Sequence, residues 1–162
     1  MRPVAIKDCG LAFKSLEARK KTNLVVIHHT GNPIDDDCSA EQLHESHKRK
    51  GWIGIGYHYV IRKDGTIEQG RPHWTVGSHA YGYNSNSIGI HFSGNFDRNA
   101  PTSQQIESGA LLLAKLGLDY GLPLTPEFVV GHRDLMPNIC PGGNLYARLQ
   151  DLLGKGIWYQ QN

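Results

Sequence analysis

Residues 24–29 form an almost continuous apolar run that ends in two adjacent histidines, His28 and His29. A run of this length with no polar residue at alternate positions predicts a strand that is buried on both faces near the centre of a sheet. Such a strand needs covering layers on both sides, so it restricts the fold of the whole chain.

Strand and helix patterns alternate along the rest of the sequence. A capping box at Ser39 opens a helix to about Arg49, and Thr102 or Ser103 opens the longest helix, which ends at Gly121. The other predicted elements are a hairpin of strands at 56–62 and 66–70, strands at 87–93 and 129–130, and a final helix near 144–153. This order predicts an α/β fold in which helices flank a central mixed, mostly parallel β-sheet.

The length of 162 residues fits one domain. A weak helical pattern marks residues 1–22 as an N-terminal extension. We expect residues 23–155 to form the folded domain and residues 156–162 a C-terminal tail.

Composition excludes several classes of protein. Apolar residues make up 39% and charged residues 20%, which is typical of a globular domain rather than a disordered chain. No apolar run is long enough to cross a membrane, and the first residues lack the apolar segment of a secretory signal, so we expect synthesis in the cytoplasm. A net charge of +2 is too small to indicate nucleic-acid binding. We also expect a monomer.

A turn-rich stretch at residues 129–142 contains His132 and Cys140, eight residues apart. Imidazole nitrogen and thiolate sulfur are ligands that Zn²⁺ prefers. A histidine from the end of the 24–29 strand would supply a third ligand and leave one tetrahedral position open, as in catalytic zinc sites. Cys9 and Cys38 would then remain as buried thiols or form a disulfide.

The predicted strand at 56–62 carries Tyr57 and Tyr59 on what alternation makes one face, so either is a candidate reacting group. His91 shares its predicted strand face with Gly89, whose missing side chain would admit substrate or metal. We therefore interpret His91 as a candidate for proton transfer, with a cavity-wall histidine as the alternative.

The long segment at residues 71–86 has no period and is rich in Gly, Asn, aromatic residues and histidine. Loops of this length are usually functional. We interpret His79 and Asn86 as substrate contacts, and Trp74 as a platform for sugar or peptide. Loop-stabilising hydrogen bonds and ordinary packing are the alternatives.

These segments together resemble the type 2 N-acetylmuramoyl-L-alanine amidases, a family that includes the amidase-type phage lysozymes and the peptidoglycan recognition proteins. The resemblance covers about residues 24–149 and is closest to the phage lysozymes. The matching motifs are Val-Val-Ile-His-His-Thr, Gly-Tyr-His-Tyr-Val-Ile-Arg-Lys-Asp-Gly-Thr, Gly-Ser-His-Ala, Asn-Ser-Ile-Gly-Ile, Gly-His-Arg-Asp and Cys-Pro-Gly, in that order.

The resemblance implies that residues 23–155 are a zinc amidase domain that cuts the amide between N-acetylmuramic acid and L-alanine of peptidoglycan. His28, His132 and Cys140 would be the zinc ligands and Tyr57 the catalytic tyrosine. We expect a phage or prophage endolysin that is released to act on the host cell wall.

Three positions depart from related patterns. Asn138 stands where phage lysozymes carry a catalytic lysine and active recognition proteins a threonine, so its contribution to substrate binding brings no charge. Recycling amidases of related fold carry an aspartate as third ligand, where this chain has Cys140, and a glutamate where it has His91. A muropeptide-binding recognition protein without activity and a cytosolic recycling amidase are therefore the alternative functions.

Overall fold

A six-stranded sheet forms the centre of the computed structural model, which describes residues 1–162. The strands are β1 (Ile6–Lys7), β2 (Leu24–His29), β3 (Tyr59–Ile61), β4 (Ile67–Gln69), β5 (Ser87–Phe92) and β6 (Val129–Gly131). Their order across the sheet is β1-β4-β3-β5-β2-β6, and every neighbouring pair is parallel except β3 with β4. The prediction of an α/β domain with a mixed, mostly parallel sheet is confirmed.

Four helices accompany the sheet: α1 (Ala40–Arg49), α2 (Ser103–Tyr120), α3 (Gly143–Tyr146) and α4 (Leu149–Gln161). The predicted capping box at Ser39 is present, and Gly121 ends α2 with a φ of +64°, a conformation that favours glycine. The region predicted as one helix at 144–153 is instead divided between α3 and α4. Because α4 continues to Gln161, most of the predicted C-terminal tail is helical.

The two faces of the sheet are covered differently. Val25 and Ile27 of β2 and Ile90 of β5 point into the main core against α2 and α4. The residues that alternate with them face α1 and the 71–86 segment, where smaller apolar clusters leave room for polar side chains. His28 of β2 and His91 of β5 are directly paired, and both lie on this second face of the sheet.

The N-terminal extension contains no helix, although a weak helical pattern was predicted there. β1 instead pairs with β4 and protects the edge of the sheet, and Ala18 forms a bridge with Thr75. Leu11 and Phe13 pack against the apolar cluster under α1. All three cysteines are free thiols. None of the helices has the length and apolar character needed to cross a lipid bilayer.

Candidate metal centre and active site

Two parallel strands bring His28 and His132 side by side at one end of the sheet. Ile27 of β2 pairs with Gly131 of β6, so the next residue along each segment, a histidine in both cases, lies at the same level. The centroids of the two imidazoles lie 4.6 Å apart.

Cys140 reaches the same place from the loop that follows β6. Its sulfur lies 3.7 Å from Nδ1 of His28, and one potential ligand atom from each of His28, His132 and Cys140 lies within 4.8 Å of the other two. Tetrahedral bonds of about 2.0–2.3 Å would separate such atoms by roughly 3.3–3.8 Å. Small side-chain shifts would therefore complete a zinc site.

Unsatisfied polarity at the same point supports this fit. Nε2 of His132 is buried and has no hydrogen-bond partner in the protein. Buried polar atoms are nearly always paired, so an orphaned imidazole nitrogen beside a thiol fits a role as a metal ligand. Two nitrogens and one sulfur are the donor set that zinc prefers.

Burial also controls the protonation of the three groups. It lowers the pKa of His28, which the neighbouring His79 and His132 lower further, and it lowers the pKa of His132. Both imidazoles are therefore neutral and have a lone pair to donate. Burial raises the pKa of the Cys140 thiol to about 11, so a bound cation must displace the proton from sulfur.

Short contacts fix the loop that carries Cys140. The Arg133 backbone N–H donates to the carbonyl of Cys140 (2.8 Å), and the Arg133 guanidinium lies 4.5 Å from the centre of the Tyr146 ring. The Tyr146 hydroxyl donates to Asp134 (2.5 Å). Asn138 accepts the Cys140 N–H through its side-chain oxygen (2.9 Å), so it shapes the turn and keeps only its amide N–H groups free.

His79 lines the same cavity as His28, but its two ring nitrogens lie close to partners inside the protein. Its Nδ1 is 2.9 Å from Nε2 of His28, and its Nε2 is 3.1 Å from the Ser87 hydroxyl. Gly89 makes this position accessible, because a Cβ there would lie 2.6–2.8 Å from the His79 ring. Both ring nitrogens are thus engaged inside the protein, as in the alternative of loop-stabilising hydrogen bonds, and a substrate contact by His79 stays a prediction.

Tyr57 and Tyr59 face opposite sides of the sheet, contrary to the alternation expected from sequence. Tyr59 is part of the main core, whereas the Tyr57 ring lies 5.0 Å from that of His28. The cause is an irregular pairing just before β3. The consecutive N–H groups of Gly70 and Arg71 donate to the carbonyls of His58 and Tyr57, so the side chains there no longer follow the alternation of β3. The Tyr57 hydroxyl has no protein hydrogen-bond partner, and burial raises its pKa, so it remains a neutral donor.

His91 lies next to Tyr57, with ring centroids 4.8 Å apart. Its Nε2 is 3.0 Å from the Thr30 hydroxyl, and its Nδ1 is buried without a partner. Burial, with smaller contributions from neighbouring histidines, lowers its pKa to about 3. His91 is therefore neutral and has one ring nitrogen available for a further hydrogen bond.

Two cavities meet at this centre. The smaller, of about 440 Å³, contains the three candidate ligands and is bounded by Trp52, Tyr57 and Tyr81. The larger, of about 1020 Å³, runs along α1 and includes His91. They share only three residues: His47, Lys50 and Tyr57.

Several of these cavity residues were missed from sequence. Lys50 is the one formally cationic side chain on the smaller cavity, and Trp52 and Tyr81 are exposed at its rim. One sequence signal pointed to His47, which also lines the cavity: it lies three residues after His44 on the predicted helix, so the two histidines share one helix face, and both are buried.

Two predicted substrate contacts lie elsewhere. Trp74 borders a separate cavity of about 400 Å³ together with Leu11 and Phe13. The Asn86 side chain donates to Asn23 (2.7 Å), which precedes β2 and so lies at the end of the strand opposite His28. The structure therefore does not bring Trp74 or Asn86 to the metal centre.

Known proteins resemble this chain in sequence and in fold. Residues 18–143 match the family model described as N-acetylmuramoyl-L-alanine amidase. An endolysin of Klebsiella phage KP32 is 33% identical over 132 residues, covering 78% of this chain and 85% of the endolysin. The solved structure of the amidase LysC from Clostridium intestinale has a TM-score of 0.85 and 34% identity, covering 94% of this chain and 99% of LysC. A mutant of Drosophila PGRP-LB, solved in complex with tracheal cytotoxin, has a TM-score of 0.79 and 26% identity, covering 90% of this chain and 92% of that protein.

Proposed function

Because this chain belongs to the N-acetylmuramoyl-L-alanine amidase family, we propose that it cuts the amide between N-acetylmuramic acid and L-alanine of peptidoglycan with a zinc ion held by His28, His132 and Cys140. The observation that carries the zinc proposal is the convergence of two imidazoles and one thiol from three segments of the chain. A zinc ion bound there would polarise the scissile carbonyl as a Lewis acid and lower the pKa of water enough to generate a nucleophile near neutral pH. Three protein ligands leave a fourth position for the reactants.

Tyr57 is the proposed donor to the negative charge that develops on the carbonyl oxygen. Its hydroxyl is on the wall of the smaller cavity, has no competing partner in the protein, and stays protonated because burial raises its pKa. A donor placed in advance at a developing oxyanion is among the largest single contributions to catalysis.

His91 is the proposed proton-transfer or water-orienting group. It is neutral, it lies against Tyr57, and its Nδ1 has no partner in the protein. Asn138 is proposed to contact substrate. Its side-chain oxygen is already bound to the Cys140 N–H, so its amide N–H groups would make this contact. Neither residue brings a charge to the centre.

The larger cavity is the proposed site for the stem peptide. It leads away from Tyr57 along α1 and is lined by both acidic and basic side chains, which suits a peptide that carries charges of both signs. The residues that carry these charges are Asp36, Glu41, Glu45, Arg49, Lys50 and Arg62. The similar recognition protein was solved in complex with tracheal cytotoxin, which supports ligand binding by this fold.

The proposal includes a lytic role in the bacterial cell wall, which is supported by the similar phage protein, an endolysin that matches over 85% of its own length. Cys140 and Tyr57 in one cavity support an active enzyme over a recognition protein that only binds.

The test is incubation of purified protein with intact sacculi, with and without a chelator, followed by mass spectrometry of the released fragments. The expected products carry free L-alanine amino termini and intact glycan. Chelation should abolish their release, and added Zn²⁺ should restore it. New reducing sugar ends without free L-alanine would identify a glycosidase and refute the proposal.

A pair of cysteine variants adds a matched control. Cys140→Ala should lose bound zinc and lytic activity together, because it removes one of three ligands. Cys9→Ser removes a thiol that lies outside both cavities and should retain zinc and activity. Full activity of Cys140→Ala without zinc would contradict the metal assignment.

A further inference from the structure

A chain of hydrogen bonds connects the metal centre to the backbone of the 71–86 segment. His28 contacts His79 (Nε2 to Nδ1, 2.9 Å), His79 contacts Ser87 (Nε2 to Oγ, 3.1 Å), and Ser87 contacts the carbonyl of Tyr83 (2.7 Å). The four groups follow one another without a branch.

The backbone carbonyl at the far end determines the direction of every bond in this chain. A carbonyl can only accept, so the single hydroxyl proton of Ser87 is used on Tyr83. The Ser87 oxygen must then accept from Nε2–H of His79, which leaves Nδ1 of His79 with a lone pair. That lone pair must accept from Nε2–H of His28.

The last step defines the face that His28 presents to the metal. With its proton on Nε2, neutral His28 has its lone pair on Nδ1, the atom that lies 3.7 Å from the sulfur of Cys140. The opposite tautomer would direct a proton towards the centre and could not bind a cation there. Hydrogen bonds to the distal nitrogen of a metal-binding histidine commonly fix the tautomer and ring orientation in this way.

We propose that His79 is a positioning residue that holds His28 in the Nε2–H tautomer, with Ser87 and the Tyr83 carbonyl fixing the direction of the bond. The inference rests on the proposed zinc function and assigns the ring nitrogens of His79 a role behind the metal ligand His28. The loop from His79 to Asn84 also forms part of the wall of the smaller cavity. The Asn84 side chain stabilises this loop by accepting the N–H groups of His79 (2.8 Å) and Ala80 (2.9 Å). One loop thus sets both the metal ligand and the substrate surface.

The direct test is the tautomeric state of the histidines in the zinc-free wild-type protein. Long-range ¹H–¹⁵N NMR correlation at neutral pH distinguishes Nδ1–H from Nε2–H imidazoles. Both His28 and His79 should be Nε2–H tautomers. An Nδ1–H signal for either residue would overturn the proposal, and the measurement needs no substitution.

Zinc affinity, measured by competition with a chromophoric chelator, gives a second test. His79→Leu and His79→Asn have nearly the same shape, but only asparagine can accept from Nε2–H of His28. His79→Leu should weaken zinc binding by about 10–100-fold, whereas His79→Asn should retain most of the affinity. Equal losses in both variants would show that His79 only fills space.

Two controls separate this inference from the zinc proposal itself. His44→Asn changes a buried histidine that bonds the Ile55 N–H and is absent from both cavities, and it should leave zinc affinity unchanged. His28→Ala should abolish tight zinc binding. If His28→Ala has no effect, the zinc site is wrong; if only His79→Leu has no effect, the positioning role alone is wrong.

Discussion

Replacing Tyr57 with phenylalanine tests the proposed chemistry with the smallest structural change. The ring packs 5.0 Å from His28 and 4.8 Å from His91, and phenylalanine would keep these contacts. The hydroxyl has no hydrogen-bond partner in the protein, so its removal leaves no buried group unsatisfied. We therefore expect a change in folding stability within about 0.5 kcal/mol and no change in zinc content.

The effect on rate should be much larger. Loss of one oxyanion donor typically lowers kcat by about 10²–10³, which corresponds to roughly 2.7–4 kcal/mol of transition-state stabilisation. Because the donor acts mainly in the transition state, kcat should fall while KM changes little. Burial raises the pKa of Tyr57, so the ratio of wild-type to variant rates should stay constant through mildly alkaline pH.

The assay is turnover of a soluble muropeptide, with zinc measured on the same samples. Tyr59→Phe makes the same chemical change in the core on the other side of the sheet and should keep full activity. A Tyr57→Phe enzyme with normal zinc and kcat within about threefold of wild type would refute the oxyanion role, since that is far below the expected loss.

Three other changes test the surroundings of the centre. Gly89→Ala should displace the His79 ring by up to about 0.8 Å, since the new Cβ would start 2.6 Å from it, and lower zinc affinity; Gly154→Ala, which meets no atom within 4 Å, should not. His91→Ala should lower kcat by about 10² or more if His91 transfers a proton, and an effect on KM alone would assign it to the cavity wall. The unfolding free energy of the zinc-free protein should be highest above pH 6.5 and fall as the pH drops towards 3. Burial lowers the pKa of His58 from 6.5 to about 3, so only the unfolded chain takes up this proton between those pH values. Constant stability in urea titrations between about pH 7 and 4 would contradict this explanation.

The candidate metal ligands were accessible from sequence because their placement depends on simple rules. Two apolar strands each lead directly into a histidine, and parallel strands end at the same edge of a sheet. The pairing of Ile27 with Gly131 then puts His28 and His132 at one level. Cys140 follows within a short loop, which limits how far its sulfur can lie from them.

The face of Tyr57 was not accessible in the same way. Strict alternation assigns Tyr57 and Tyr59 to one side of a strand, and no local residue type shows that the pairing with Gly70 and Arg71 is irregular. An irregular pairing of this kind depends on the partner strand, so it can be recognised only when the positions of both strands are known. The family motif selected Tyr57 where periodicity left both tyrosines open.

The role of His79 shows a different limit. A segment without periodicity gives no indication of where its side chains point, so a histidine there is most simply read as a surface contact. A buried metal-binding imidazole nevertheless requires an acceptor for its second nitrogen. That requirement predicts that some residue must bond Nε2 of His28, and Gly89 provides the space that lets His79 do so. The sequence therefore implies the need for such a partner, whereas its identity depends on the contact between a glycine in β5 and a ring ten residues earlier.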